Sequence, residues 1–358
     1  MKRIVLTGGG TAGHVTPNIA LLPTLQKMDY DVHYIGSYDG MEKRIMADFD
    51  VPYYGISTGK WRRYFDIKNF TDPFRILKGL TEAKHILKNL APDVVFSKGG
   101  FVSVPVVRAA ASLGIPCIIH ESDMTPGLAN KLCIPVASKV CCNFPETLTT
   151  LPKDKAVLTG SPIREELAKG NKIAGLNLCG FTANKPVIMV VGGSLGASSV
   201  NRIVREALPK LLPDFQIVHL CGRDKIDEQL LNIKGYKQFE FIKSDLKDIF
   251  AMADVVVSRA GANAICELLA LKKPNLLIPL PATSSRGDQI LNANSFESQG
   301  FSMVIDENIL TENLLADKVM ELFCSRQSYI DTMSKSGQLN SIHTIINLIE
   351  DITANKTE

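Results

Sequence analysis

Near the amino terminus the glycine run Gly8-Gly9-Gly10-Thr11-Ala12-Gly13 is followed directly by His14. Glycine lets the backbone approach a ligand closely, and the N–H groups of a helix start favour an anion, most often phosphate. His14 adds an imidazole that titrates near neutrality and can accept a proton from a hydroxyl. The spacing G-x-G-x-x-G is also that of dinucleotide sites, which need a carboxylate at the tip of the second strand to hold a ribose. Here that tip reads Gly36-Ser37, with Asp39 and Glu42 only beyond the turn. The first loop is therefore expected to bind an anion without a dinucleotide.

A second loop, Gly192-Gly193-Ser194-Leu195-Gly196, repeats the pattern Gly-Gly-(Ser/Thr)-x-Gly. Farther on, Ser258-Arg259-Ala260-Gly261 forms a turn before a helical stretch from Ala262 to Leu271, with Glu267 in its first two turns. A carboxylate there can accept two hydrogen bonds from a ribose diol while the helix start takes phosphates. His120-Glu121-Ser122 offers a second proton acceptor, Glu121, at the tip of a strand. Asp29-Tyr30-Asp31 has the letters of a metal-binding D-x-D, but it precedes a strand and reads as a solvated turn, so no metal is expected.

The elements that must position these residues alternate between strand and helix along the whole chain, which argues α/β architecture with parallel sheets. In the first half, strands are expected at Ile4–Leu6, Val32–Ile35, Val94–Ser97, Cys117–His120 and Val140–Asn143. Lys185–Val191 starts the pattern afresh, and a further strand is expected at Asn275–Pro279. This gives an N-terminal Rossmann-like domain over 1–160, a linker over 161–185 and a second Rossmann-like domain over 186–335. The 336–358 segment is a final helix whose apolar stripe, Leu339, Ile342, Ile345, Ile346 and Ile349, must pack on one domain or the other. Paired anion-binding domains suggest a ligand in a cleft between their strand ends.

Composition narrows the function. The 358 residues are 45% hydrophobic and 22% charged, as in ordinary globular proteins, and a net charge of +3 gives no reason to expect nucleic acid. Eight cysteines without a C-x-x-C pair suggest reduced thiols and a cytoplasmic setting. The chain enters a strand at once, which leaves no signal peptide, and no apolar run approaches the ~20 residues of a membrane span. Between Lys60 and Lys88, however, eight basic residues face three acidic ones and are interleaved with Trp61, Tyr64, Phe65, Phe70 and Phe74. Aromatic and basic residues together suit an anionic membrane surface.

Taken in order, Gly9-Gly10-Thr11-Ala12-Gly13-His14, His120-Glu121-Ser122, Thr159-Gly160-Ser161-Pro162-Ile163-Arg164, Gly192-Gly193-Ser194-Leu195-Gly196 and the Glu267/Asp288-Gln289/Asn292 run resemble the MurG family. The resemblance spans nearly the whole chain. It implies a two-domain GT-B glycosyltransferase. Such an enzyme transfers N-acetylglucosamine from UDP-N-acetylglucosamine, with inversion, to the muramic acid 4-hydroxyl of undecaprenyl-pyrophosphoryl-MurNAc-pentapeptide (lipid I). The product is lipid II, the peptidoglycan precursor.

Carried over by residue, the resemblance assigns the ribose to Glu267, uracil to Ile242, and donor phosphates or sugar to Ser194, Arg164 and Gln289. The backbone of Ala262, Asn263, Ala264, Ile265 and Cys266 lines the same pocket, and Thr11, Ala12, Gly13 and Asp123 are donor contacts of the first domain. Phe101 stands where relatives carry tyrosine, so no phenol hydroxyl acts there. His14 and Glu121 both stand as candidates for the base. No cofactor is implied. The resemblance further implies peripheral attachment to the cytoplasmic face of the cell membrane and cell-wall synthesis proteins as partners. The runner-up is a UDP-N-acetylglucosamine 2-epimerase, an isomerase of the same architecture that needs no lipid-facing surface.

Overall fold

The computed structural model describes residues 1–59, 68–193, 196–283 and 287–354, with the side chains of 68–74 left aside. The chain divides into two compact units: Met1–Arg164 with Asn340–Glu358, and Glu165–Leu339.

The first unit is built on seven strands: β1 (Arg3–Thr7), β2 (Asp31–Ser37), β3 (Tyr53–Ile56), β4 (Val94–Ser97), β5 (Cys117–Glu121), β6 (Lys139–Cys142) and β7 (Ala156–Leu158). Their order in the sheet is β3-β2-β1-β4-β5-β6-β7, and every pairing is parallel. Because side chains alternate across a strand, Ile4 and Leu6 enter one core and Val5 the other. The first of these cores also takes Leu21 and Leu25 from the helix Thr16–Lys27, and Ile345, Ile346 and Ile349 from the final helix Ser341–Ala354. The start of that final helix is tied by Ser341 Oγ donating to Ser161 O at 2.8 Å, and a later turn by Lys2 to Glu350 at 2.7 Å.

The second unit has six parallel strands: β8 (Val187–Val191), β9 (Gln216–Leu220), β10 (Tyr236–Phe239), β11 (Val255–Ser258), β12 (Asn275–Leu277) and β13 (Met303–Val304), ordered β10-β9-β8-β11-β12-β13. Both sheets thus reverse direction beside their first strand, between β1 and β4 and between β8 and β11. In open parallel sheets ligands bind at that reversal, off the carboxyl ends of the strands. The glycine loop after β1 and, after β8, Gly192 and Gly193 sit at it.

Three details differ from the sequence reading. β3 and β7 were not expected, since Tyr53-Tyr54-Gly55-Ile56 and Ala156-Val157-Leu158 are short and only partly buried edge strands. The strand beginning at Asn275 ends at Leu277, two residues early. Asp29-Tyr30-Asp31 lies at the amino end of β2; Asp29 adopts a left-handed φ of 58°, and Asp31 is bonded to Arg3 Nε at 2.5 Å.

Candidate active site

In the first unit the loop after β1 leads into a short 3-10 turn, Ala12–His14, and then the helix Thr16–Lys27. Thr11 and Ala12 are exposed, while Gly13 and His14 are half-buried. His14 Nδ1 lies 2.9 Å from Gly9 O and 3.2 Å from Thr11 Oγ1. A carbonyl only accepts, so Nδ1 carries the proton and Nε2 is left as the acceptor. Burial holds the His14 pKa below its ordinary value; the nearby Lys98 charge acts the same way, and the Gly9 bond, Asp123 and Glu42 oppose.

Glu121, at the end of β5, is buried and occupied. Its Oε1 accepts from Asp123 N at 3.0 Å, and its Oε2 from Gly127 N and Asn130 Nδ2, each at 2.9 Å. Burial pushes its pKa up against the pull of these bonds. The carboxylate closes the 122–127 loop, on which Asp123 sits half-buried.

Next to it is a charged group that sequence reasoning passed over. Lys98, immediately after β4, is 1% exposed. Its Nζ donates to His120 Nδ1 at 2.7 Å, Ser122 Oγ at 2.8 Å and Ser161 Oγ at 3.4 Å, tying together the ends of β4 and β5 and the segment after β7. His120 Nε2 donates to Gly160 O at 2.8 Å, which fixes the other tautomer from that of His14. Burial, reinforced by the Lys98 charge, holds the His120 pKa well below its ordinary value, so this ring stays neutral. A lysine directly after a buried strand at the sheet reversal is the one sequence signal that could have flagged it. Arg164, the last residue before the crossover to the second unit, has a buried Nε with no partner among the described residues.

In the second unit a cavity of about 260 Å³ opens at the reversal between β8 and β11. It brings together Ile242, Ala264 and Glu267, along with Val191, Gly193 and Ser258. The helix Ala262–Ala270 begins here, and its N-cap Gly261 brings no side-chain oxygen to the first-turn amides. The side chains of Ala262, Ile265 and Cys266 are buried, so these residues offer only backbone; Asn263 is half-buried. The turn before the helix is held from behind. Asn292 Nδ2 donates to Ala260 O at 3.2 Å, and buried Arg259 bonds Glu307 at 2.6 Å and Ile278 O at 3.0 Å.

Gln289 Oε1 accepts from Leu280 N at 3.1 Å. Ser194 lies outside the described residues. A larger, more open depression of about 440 Å³ beside Ser198 and Arg205 contains none of the predicted site residues. Its cations are engaged with neighbouring carbonyls, Arg205 with Lys225 O at 2.5 Å and Lys225 with Gly196 O at 3.2 Å.

Comparison with known proteins shows the family. Residues 4–142 match the glycosyltransferase family 28 N-terminal domain and residues 187–349 its C-terminal domain. The chain is 63% identical, over 98% of its length and 99% of the relative's, to the UDP-N-acetylglucosamine–N-acetylmuramyl-(pentapeptide) pyrophosphoryl-undecaprenol N-acetylglucosamine transferase of Lachnoclostridium phytofermentans. The chain belongs to the MurG family. Among solved structures, MurG of Acinetobacter baumannii is similar with a TM-score of 0.78 and 28% identity, covering 98% of this chain and all of that one. A UDP-N-acetylglucosamine 2-epimerase structure from Listeria monocytogenes reaches a TM-score of 0.72 at 12% identity, covering 98% of this chain and 96% of that one. That likeness shows the shared fold alone. A MurG-family member is a glycosyltransferase with two Rossmann-like domains, and the strand orders of both sheets here fit that architecture.

Proposed function

We propose that this MurG-family chain transfers N-acetylglucosamine from UDP-N-acetylglucosamine to the 4-hydroxyl of MurNAc in undecaprenyl-pyrophosphoryl-MurNAc-pentapeptide, yielding lipid II for peptidoglycan synthesis. The observation that carries this reading is the cavity at the β8/β11 reversal, where Glu267 and Ile242 line one space beside an open helix start. An apolar floor for a base, a carboxylate for a ribose diol and the positive end of a helix dipole for a diphosphate are the three recognitions a uridine diphosphate needs.

Transfer with inversion in one displacement needs a base for the acceptor hydroxyl and a stabiliser for departing UDP. We assign the base to His14. Its Nδ1 proton is committed to Gly9 O, its Nε2 lone pair is available, and its lowered pKa keeps it unprotonated at neutral pH. Glu121, with three donors on its two oxygens, holds the loop that carries Asp123. The leaving charge is met by the start of the helix Ala262–Ala270, with Gln289 as a further contact, and transfer proceeds without an added metal.

The lipid acceptor calls for peripheral contact with a membrane. Among the described residues no helix is long and apolar enough to cross one. The aromatic and basic stretch from Lys60 to Phe74 lies outside the described side chains. Beyond it, Leu77 on the helix Lys68–Leu90 is 61% exposed, and Leu128 and Leu132 on the helix Leu128–Cys133 are 47% and 41% exposed, with Lys78 and Lys131 alongside. Each supports a point of contact with an anionic bilayer. Co-sedimentation with anionic vesicles tests it: salt-sensitive binding that weakens in Leu77→Ser supports the surface, and equal recovery with neutral vesicles contradicts it.

The donor assignment is tested by calorimetric titration with UDP. Binding by the native chain that is lost in Glu267→Ala supports it; unchanged binding in the variant places the nucleotide elsewhere.

A further inference from the structure

The glycine loop after β1 was expected to be open to an external anion. One anion is already inside it. Glu42, on the short helix Met41–Met46, is 1% exposed and turns back beneath the loop. Its Oε2 accepts from Gly10 N at 3.1 Å, while Oε1 accepts from Ser37 N at 2.9 Å and from the Ser37 hydroxyl. The space it fills exists because side chains are missing around it. A Cβ on Gly9 would stand 2.5 Å from the Glu42 carboxyl carbon, and one on Gly40 2.3 Å from its Oε1.

A carboxylate near the tip of the second strand is the position from which dinucleotide-binding folds reach a ribose. Here it points the other way, into the loop, and takes an amide that a ligand phosphate would otherwise use. The same loop holds His14. Gly9 supplies the carbonyl that bonds His14 Nδ1, and Gly10, the next residue, supplies the amide bonded to Glu42.

We propose that Glu42 is a built-in anion that fills the first glycine loop, fixes the peptide carrying the Gly9 carbonyl, and thereby positions His14 for the transfer reaction. This rests on the transferase reading above. Burial works to protonate Glu42, but the Ser37 and Gly10 bonds outweigh it and keep the carboxylate ionised. The loop then receives its external ligand only through the residues after Gly10, namely Thr11, Ala12 and Gly13. Glu42 is a positioning residue: it touches the loop, and the loop holds His14.

The test measures kcat, the KM for a short-chain lipid I analogue and the UDP affinity in Glu42→Ala, with and without added formate or acetate. We expect kcat to fall on the order of 100-fold, the scale of a displaced catalytic group, with UDP affinity unchanged. Formate or acetate, entering the vacated space, restores part of the rate. Gly9→Ala, which forces the carboxylate out without removing it, should lower kcat in the same way and serves if Glu42→Ala does not fold. A native-like kcat in either folded variant, a loss of UDP affinity matching the loss of kcat, or no rescue by either anion overturns the proposal. If the native chain itself transfers no sugar, the transferase reading fails instead, so the two failures are separable.

Discussion

The imidazole of His14 is locked to the loop that precedes it, with Nδ1 2.9 Å from the carbonyl oxygen of Gly9. This bond leaves Nε2 unprotonated, and burial with the nearby Lys98 charge keeps the ring neutral below its usual pKa of 6.5. A base in this state needs no activation at neutral pH.

Replacing His14 by Gln therefore lowers kcat by about 10²- to 10⁴-fold, the range for a lost general base, and leaves UDP affinity intact. The pH profile of kcat in the native chain should stay flat through neutrality and fall only below pH 6.5, the ordinary histidine value. Steady-state kinetics across pH checks both. A decline that begins above neutrality would mean that a group with a raised pKa is the base.

Glu267 is expected to act on donor binding rather than on the chemical step. Hydrogen bonds to a charged group contribute roughly 1.5–3 kcal/mol, so Glu267→Gln should raise the donor KM by about 10- to 150-fold with a smaller change in kcat. Initial rates at varied UDP-N-acetylglucosamine distinguish this from a fall in kcat at unchanged KM, which would place Glu267 in the reaction itself.

Acid stability should be governed by buried neutral imidazoles. His219 is fully buried between Tyr236 Oη at 2.9 Å and Asn201 Oδ1 at 3.0 Å, and burial drives its pKa down to about 3. Between pH 6.5 and 3 the unfolded chain holds a proton here that the folded chain does not, so stability falls as pH drops through this window. The limiting slope is about 1.4 kcal/mol per pH unit for each such group, and His120 adds with the same sign. Urea midpoints at pH 7 and pH 5 should therefore differ, and His219→Gln should shrink the difference. Equal midpoints would contradict it.

Lys98 makes a structural prediction of its own. Lys98→Met leaves the acceptors His120 Nδ1 and Ser122 Oγ without their buried donor, at a cost of about 1–3 kcal/mol per unsatisfied group. Chemical unfolding should show a lower midpoint for the transition of the first unit. No change would mean that these acceptors find other partners.

The sequence made the α/β architecture legible because apolar runs such as Ile4-Val5-Leu6 and Val255-Val256-Val257 end in glycine turns, and both proved to be the first or central strands of their sheets. It did not reveal β3 and β7, whose brief, partly buried runs carry too little apolar signal. Glu267 could be placed by counting from Gly261 along one helix. Glu42 and Lys98 could not be ranked that way. Glu42 lies past a turn, 32 residues from the amide it meets, and Lys98 is 22 residues from His120 and 63 from Ser161. Such pairings depend on strand order, and a single sequence carries no direct record of it. The stripe on the final helix likewise named no partner; that Ile345 and Ile349 share one core with Leu21 and Leu25 is a tertiary fact.

The most direct measurement is transfer of labelled N-acetylglucosamine from its UDP donor to a short-chain lipid I analogue with chelator present, comparing the native chain with Glu267→Ala. The account predicts robust chelator-insensitive formation of the disaccharide by the native chain and its loss in the variant. Consumption or epimerisation of UDP-N-acetylglucosamine without transfer to the acceptor would contradict it.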